Sequence, residues 1–121
     1  MRKFKTGATR NEDFIKIDPE GFFNPLLIES FSEYMNKHRL QSDGKIRESD
    51  NWQRLFGDDH YKVCMKSTWR HFLHFWKIHR GYKVIEDGKE VTLEDACNGI
   101  IFNVWAYLFK YLLWEKKQKT S

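Results

Sequence analysis

The stretch YKVCMKSTWRHFLHFWKIH, residues 61–79, decides the fold of this chain. Its large side chains recur at alternating steps of three and four residues, which is the spacing of one face of an α-helix. The residues of this face are Tyr61, Cys64, Met65, Thr68, Trp69, Phe72, Phe75, Trp76 and His79. We therefore expect a long helix with a buried aromatic stripe. Gly81 follows Arg80 in the position of a C-terminal glycine cap and would end this helix.

Another helix is predicted upstream of this stretch. Asn24 is a good N-cap, and Pro25 occupies the first helical position, where its missing N–H costs nothing. Apolar residues then recur at helical spacing to about Arg39. Residues 41–49 are predicted to form a polar loop, and residues 51–56 a short helical piece that ends at the break over residues 57–59.

A hairpin and a third helix follow the central stretch. Asp87-Gly88 lies between two short β-prone runs and favours a type I′ turn. Residues 92–95 (TLED) approximate a capping box, and apolar residues then cover more than one face as far as about residue 116. Such a helix must be buried nearly all round, and three helices are too few for that. We therefore expect a homodimer or homotetramer that buries Trp105, Phe109 or Leu112 between chains.

The predicted architecture is all-α, with three main helices bundled in a single domain over residues 1–121. An extended arm occupies residues 1–23, and the short β-hairpin joins the second and third helices. Hydrophobic residues make up 40% and aromatic residues 17%, which excludes intrinsic disorder. The net charge of +4 is compatible with an anionic ligand. Neither a secretory signal nor a membrane-spanning run is recognisable, so a cytoplasmic protein without a membrane partner is expected.

Two pairs of carboxylates are candidates for metal chemistry. Glu29 and Glu33 lie one turn apart on the first predicted helix, so both could reach one cation, and Mg²⁺ prefers oxygen ligands. Alternatively, both are solvated, since Phe31 marks the buried side of that helix. Glu94 and Asp95 form the second pair, and their alternative role is to cap the third helix.

Basic residues form a stripe on the second predicted helix. Its members recur at helical spacing: Lys62, Lys66, Arg70, His74 and Lys77. Like charges at this spacing repel one another, so acidic neighbours or an anionic ligand should compensate them. Lys66 and Arg70 are the better phosphate-binding candidates because they lie mid-helix beside Trp69, and a fully solvated face is the alternative.

Several segments taken together resemble one protein family. They are residues 4–10 (FKTGATR), 20–26 (EGFFNPL), 34–39 (YMNKHR), 49–53 (SDNWQ), 65–72 (MKSTWRHF), 94–96 (EDA) and 102–103 (FN). Over nearly its whole length, and in the same order, the chain resembles the phage- and prophage-encoded family described as the dATP/dGTP diphosphohydrolase N-terminal domain. That family is linked to the MazG-like nucleotide pyrophosphohydrolases, which are oligomeric helical bundles that hold Mg²⁺ with acidic residues from two helices.

The resemblance implies a metal-dependent enzyme that hydrolyses a purine deoxynucleoside triphosphate to the monophosphate and pyrophosphate in the host cell of a phage. Mg²⁺ or Mn²⁺ would be held by Glu29, Glu33, Glu94 and Asp95. The catalytic residues would be Glu29, Glu33 and His71. The phosphates would be bound by Arg10, Lys66 and Arg70, and the base by Asn51 and Trp52.

One departure from the wider pattern keeps a second hypothesis open. The helical pyrophosphohydrolases usually carry Glu-x-x-Glu on one helix and Glu-x-x-Asp on another. Here Glu29 and Glu33 are separated by three residues, and Asn98 stands where a second acid would follow Glu94. The alternative is a non-catalytic phage protein that binds or sequesters a nucleotide or a nucleotide-derived immune signal. A nucleic-acid accessory role is a weaker third reading, because the charge excess is small.

Overall fold

The computed structural model describes residues 16–120, and these form an all-α fold with one small hairpin. The helices are α1 (Pro19–Phe22), α2 (Pro25–Lys37), α3 (His60–His79) and α4 (Leu93–Thr120). Two short 3₁₀ helices, Asn51–Arg54 and Gly57–Asp59, precede α3. Strands β1 (Ile85–Glu86) and β2 (Lys89–Glu90) pair antiparallel between α3 and α4. In this described part of the chain, no helix has the length and hydropathy that crossing a membrane would require.

The local signals for helix ends and turns are confirmed. The Asn24 side chain accepts a hydrogen bond from the Leu26 N–H, with Pro25 at the first helical position. Gly81 has φ 88°, the left-handed conformation of a glycine cap. Asp87 and Gly88 both have positive φ, as a type I′ turn requires.

The predicted N-terminal arm is only partly described. Residues 1–15 lie outside the described residues, and Arg10 lies among them. Within the remainder, the prediction of an extended chain is wrong for residues 19–22, which form α1. The Asp18 side chain caps this helical turn by accepting from the Gly21 N–H, and Pro19 at its first position supplies a helical φ.

Helices α3 and α4 pack antiparallel and form the centre of the fold. Small residues line their contact: Cys64 is fully buried on α3, and Ala96, Gly99 and Ala106 are buried on α4. His60, also fully buried, brings its Nε2 to 2.6 Å from the Ala106 carbonyl oxygen. Because such small side chains allow close approach of the two backbones, this pair of helices is tightly packed.

The prediction of a buried aromatic stripe on α3 is wrong for the single chain. Trp69 is 67% exposed and Trp76 is 50% exposed, and Met65 and Phe72 are also exposed. Of the predicted face, Cys64 is fully buried against α4, and the other residues of α3 that contact α4, such as His60 and His71, lie outside that face. Close packing against Gly99 and Ala106 decides which face is buried, and the larger aromatic residues are left outside.

Helix α2 packs across α4 through a small number of specific contacts. Asn98, buried on α4, donates to the Ser30 hydroxyl at 3.0 Å, and Phe31 stacks edge-on against Trp105 with ring centroids 5.1 Å apart. Lys37 forms an ion pair with Asp95. Between these contacts, α2 does not close onto α3, and a large cavity remains.

Candidate functional site

The cavity lies between α2, residues 39–56 and the facing sides of α3 and α4, and its volume is about 1090 Å³. Ligand pockets commonly occupy about 300–1000 Å³, so this cavity is large enough for a sizeable ligand. Its lining combines basic, aromatic and small polar side chains with two carboxylates, those of Glu48 and Glu86. The lining residues include Phe31, Tyr34, His38, Arg39, Arg47, Asn51, Trp52, Arg54, Phe56, Ser67, Arg70, His71, Glu86, Phe102, Asn103 and Trp105.

Three of the arginines that line the cavity have no carboxylate partner among residues 16–120. Arg39 donates from Nε to the Arg47 carbonyl oxygen at 2.8 Å and from Nη1 to the Asn36 amide oxygen at 3.1 Å. Arg47 donates to the His38 carbonyl oxygen at 3.4 Å. Arg54 makes no ion pair with any described residue. These positive charges are therefore available to an anionic ligand.

A short turn brings Arg39 and Arg47 together. Leu40 and Ile46 form an isolated antiparallel bridge, and the Arg47 N–H donates to the Arg39 carbonyl oxygen at 2.8 Å. Gly44 has φ 84° at the tip of this turn, a conformation that glycine adopts at little cost. The loop predicted over residues 41–49 therefore serves to place two guanidinium groups on one wall.

Aromatic rings form the other walls. Trp52 packs against Phe109 and Phe102, with ring centroids 5.1 Å and 6.4 Å away. Phe56 lies 6.3 Å from Phe102 by the same measure. Trp52 and Phe56 line the cavity and expose part of their surface, so a flat aromatic ligand group could stack on them.

Buried His60 fixes the segment that carries Trp52 and Phe56. The Phe56 N–H donates to His60 Nδ1 at 3.0 Å, while Nε2 lies against the Ala106 carbonyl oxygen. Because a carbonyl oxygen only accepts, the proton must be on Nε2, and the ring is neutral with both nitrogens satisfied. One side chain thus connects the wall segment, α3 and α4.

The backbone of the same wall is strained at Leu55. This residue has φ 69° and ψ 177°, a region that side chains other than glycine rarely adopt. Leu55 is half-buried and lines the cavity. Strain of this kind persists only where the surroundings enforce it, and it is common at ligand sites.

His71 lies on the α3 side of the cavity, pressed against α4. A Cβ atom at Gly99 would fall 2.4 Å from His71 Nδ1, so the absence of a side chain at Gly99 makes room for this ring. Nδ1 is buried without a hydrogen-bond partner in the described structure. Burial, and then the neighbouring charges of Arg70 and His74, lower the pKa of His71 to about 4.

An ion-paired cluster borders His71. Arg70 donates from Nη1 to Glu86 Oε1 at 2.9 Å, and His74 Nε2 lies 3.4 Å from Glu86 Oε2. Glu86 comes from β1, so the hairpin is attached to α3 through this carboxylate. Arg70 remains half-exposed and lines the cavity, which leaves part of its guanidinium group available to a ligand.

The structure brings together only some of the residues that the sequence predicted for a site. Asn51, Trp52, Arg70 and His71 all line the cavity. Lys66 is exposed and does not line it. The remaining predicted residues within the described chain are the acids, and they also lie outside the cavity lining: Glu29, Glu33, Glu94 and Asp95.

Asp95 has the role of a helix cap. Its Oδ2 accepts from the Thr92 N–H at 3.2 Å, and the Thr92 hydroxyl accepts from the Asp95 N–H at 3.1 Å, which completes a reciprocal capping box. Burial acts to raise the pKa of the Asp95 carboxyl, but the hydrogen bonds from Lys37 and Thr92 outweigh it and lower that pKa. Both carboxylate oxygens therefore already have partners.

The predicted metal ligands do not fit a divalent cation within one chain. Glu29 and Glu33 are solvated on α2, Glu94 is exposed, and Asp95 is occupied by Lys37 and Thr92. Throughout residues 16–120, no group of three or more His, Cys, Asp and Glu side chains is placed to hold a metal ion.

Arg39, Arg47 and Arg54 line the cavity but were not predicted from the sequence as site residues. They lie at the end of α2, in the turn and in the first 3₁₀ helix, where no helical periodicity marks a face. The one available signal was the concentration of arginines in a polar segment that also carries Trp52, since loops often carry binding residues.

A capping role for Asp95 leads to a first prediction. Asp95→Asn removes the ion pair with Lys37 but retains a residue that is acceptable at a helix start. We expect the free energy of unfolding to fall by about 0.5–1 kcal/mol, and ligand binding to be unchanged. Denaturant unfolding and a nucleotide titration measure the two effects. Loss of binding with unchanged stability would instead indicate a ligand role for this carboxylate.

The lowered pKa of His71 predicts that acid destabilises the fold. The unfolded chain has the ordinary pKa near 6.5 and the folded chain about 4, so the unfolded state binds more protons between these values. The stability contributed by neutral His71 is complete above pH 6.5 and is lost as the pH falls towards 4. After allowance for partial solvent screening, the expected loss is about 1–3 kcal/mol.

Denaturant unfolding at several pH values between 7 and 4.5 measures this effect. In His71→Gln the slope of the unfolding free energy against pH should be shallower, although His38, whose pKa is also lowered by burial and by Lys37, still contributes. His79→Gln, a change at an exposed position, is the matched control and should keep the wild-type slope. If the wild type and both variants had equal slopes, His71 would not be the source of the pH dependence.

No protein-family model, curated protein or solved structure shows significant similarity to this chain.

Proposed function

We propose that this protein binds a nucleotide in the cavity, with the phosphates at the arginines and the base against the aromatic wall. One observation carries the proposal: a single cavity holds three arginines that have no carboxylate partner among the described residues, together with two aromatic rings. The arginines are Arg39, Arg47 and Arg54, and the rings are those of Trp52 and Phe56. Guanidinium groups form paired hydrogen bonds to phosphate oxygens, and a purine ring stacks on exposed aromatic faces.

The resemblance described above suggests a purine deoxynucleoside triphosphate as the ligand. A triphosphate carries enough negative charge to neutralise several guanidinium groups. Arg70 would bind the same phosphates from the α3 side, and Asn51, next to Trp52, would hydrogen-bond the base. This assignment retains four of the residues that the sequence predicted for the site: Asn51, Trp52, Arg70 and His71.

His71 would act as a hydrogen-bond donor to the bound ligand. Its buried Nδ1 packs against Gly99, so the neutral ring is best accommodated with the proton on Nε2. A pKa of about 4 makes the ring a weak proton acceptor at neutral pH, because efficient general bases have pKa values near the working pH. The site therefore supports binding better than general-base catalysis.

Hydrolysis of the nucleotide remains the alternative that the resemblance implies, with Mg²⁺ or Mn²⁺ as the metal. The two functions differ in their dependence on metal. Binding through arginines needs no cation, whereas a pyrophosphohydrolase would release pyrophosphate only when the metal is present.

A thermal-shift screen tests the proposal directly. The chain is heated with dATP, dGTP, dCTP or deoxyadenosine, in EDTA and in Mg²⁺ or Mn²⁺. We expect a purine triphosphate to stabilise the protein in EDTA by about 2.7 kcal/mol at 100 times its dissociation constant, and deoxyadenosine to do so far less. No stabilisation by any triphosphate would refute the proposal. Stabilisation and pyrophosphate release that both require the metal would favour the hydrolase.

A further inference from the structure

Helices α3 and α4 present a continuous apolar surface that is not covered by any described part of the chain. On α3 this surface comprises Met65, Trp69, Phe72, Leu73 and Trp76, and on α4 it comprises Val104, Tyr107, Leu108, Tyr111 and Trp114. We call it the outer face. Trp69 is its most exposed member at 67%, and Trp114 is 55% exposed.

The outer face lies on the side of the helix pair away from the cavity. Successive residues of an α-helix are about 100° apart around its axis. By this measure the mean direction of the exposed residues of α3 lies about 140° from the mean direction of Val63, Ser67 and Arg70, which line the cavity. On α4 the exposed residues lie at a similar angle from Asn98 and Trp105, the residues that contact α2. The outer face is therefore independent of the nucleotide site.

The two stripes join into one surface. Tyr61 on α3 contacts Tyr107 on α4 with ring centroids 4.5 Å apart, which closes the groove between the helices at one end. The ten residues of the outer face are uncharged, and the Arg80 guanidinium lies at its edge, 5.7 Å from the centroid of the Trp76 ring. An uncharged centre can be desolvated without leaving an unpaired ion, while a cation at the edge stays in the solvated rim of an interface.

The area matches what a stable dimer needs. The ten residues of the outer face each expose between 39% and 67% of their surface. Large apolar side chains present about 150–250 Å² each, so the exposed area is roughly 900 Å². A standard interface buries about 800 Å² on each partner, and larger exposed apolar patches are uncommon on monomers.

We propose that the outer face binds a second copy of this chain, about a twofold axis, to form a layer of four helices. A twofold interface brings the same patch of both copies together, so one apolar patch is sufficient. Two helices with one open apolar face become a four-helix arrangement when a second pair covers them. The interface would use the side of α4 opposite Trp105, which packs on Phe31 in the same chain.

Sedimentation velocity and light scattering at micromolar concentration test this proposal. The wild-type protein should have twice the 14.7 kDa mass of one chain. Trp69→Glu should be monomeric and retain its helical circular dichroism. Leu27→Glu is the matched control, since Leu27 is 69% exposed on α2 and should leave the dimer intact. A monomeric wild type, or a dimer dissociated by Leu27→Glu and not by Trp69→Glu, would overturn the proposal.

A second measurement needs no variant and applies even if Trp69→Glu fails to fold. Hydroxyl-radical oxidation of the wild-type protein is followed by mass spectrometry across a dilution series. Oxidation of Trp69 and Trp76 should rise at least threefold when the dimer dissociates, while that of Leu27 stays constant. Equal oxidation at all concentrations would overturn the proposal. Added dATP should change neither result, so the dimer and the nucleotide site can succeed or fail separately.

Discussion

Replacing Gly99 by alanine is expected to destabilise the protein, although the same change in most helices is stabilising. Alanine would gain about 1 kcal/mol over glycine in helix propensity. Here, however, the new Cβ would lie 2.4–2.6 Å from three atoms of the His71 ring, Nδ1, Cε1 and Cγ. Overpacking of a close helix contact commonly costs about 1–3 kcal/mol and sometimes more. We expect a net loss of about 1–3 kcal/mol, measured by denaturant unfolding.

The double variant Gly99→Ala/His71→Ala is the control for this mechanism. With the ring removed, the alanine at position 99 has room, so the second substitution should recover much of the lost stability. Coupling of this kind between contacting residues is typically about 0.5–3 kcal/mol. Additive losses would show that Gly99 matters for another reason. If Gly99→Ala alone raised the free energy of unfolding, the His71 ring would have to lie further from position 99 than the 2.4–2.6 Å found for an added Cβ.

The second prediction concerns Arg70. Arg70→Ala should lower the affinity for a purine deoxynucleoside triphosphate at least tenfold, because hydrogen bonds to charged groups contribute about 1.5–3 kcal/mol. Affinity for the nucleoside should change little, since it has no phosphate. The fold should also change little, because the Arg70 side chain is 52% exposed and its pair with Glu86 is a surface ion pair. Calorimetric titrations with dATP and deoxyadenosine separate these effects.

Two lysines on α3 provide controls for Arg70. Lys77 lies near the end of the helix and does not line the cavity, so Lys77→Ala should leave affinity unchanged. Lys66 lies one turn before Arg70, and the sequence predicted that both side chains bind the phosphates. The variant Lys66→Ala tests that prediction. A loss with Lys66→Ala equal to that with Arg70→Ala would support it. Equal effects from all three variants would indicate diffuse electrostatics without a defined phosphate site.

Local features of the fold were predictable from the sequence because local chemistry determines them. Asn24 followed by Pro25 begins α2, Gly81 terminates α3, and Asp87-Gly88 turns the hairpin, each through backbone preferences of a few residues. These preferences do not depend on the rest of the chain. The helices and the turn therefore lie close to their predicted positions.

The packing of α3 was not predictable in the same way. Periodicity identified an aromatic face that includes Cys64, but the residues that join Cys64 against α4 are the polar His60 and His71, which lie outside that face. Their partners are small residues, Gly99 and Ala106. Hydropathy gives little weight to glycine, alanine and histidine, although these residues allow the closest contact between helices. The sequence pattern thus marked an exposed apolar surface, which we propose as the dimer interface, rather than the internal core.

Some residues that line the cavity were predicted from the sequence and others were not. Arg70 was predicted from its position on the basic stripe of α3, whereas Trp52 and His71 were predicted through the family resemblance. Arg39 and Arg47 were not, because the bridge between Leu40 and Ile46 that brings them together is a tertiary feature without periodicity. The metal ligation predicted for the four acids stays a prediction, and for Asp95 the structure shows other partners, Lys37 and Thr92, which the spacing of the acids does not reveal.

The central claim is that the arginine and aromatic walls of the cavity bind a nucleotide without a metal ion. Calorimetric titration of the wild-type protein with dATP in EDTA, at about 0.15 M salt, tests it most directly. We predict saturable binding of one nucleotide per chain, with an affinity that falls at least tenfold in Arg47→Ala. Absence of binding in EDTA, or the same affinity in Arg47→Ala as in the wild type, would contradict the claim.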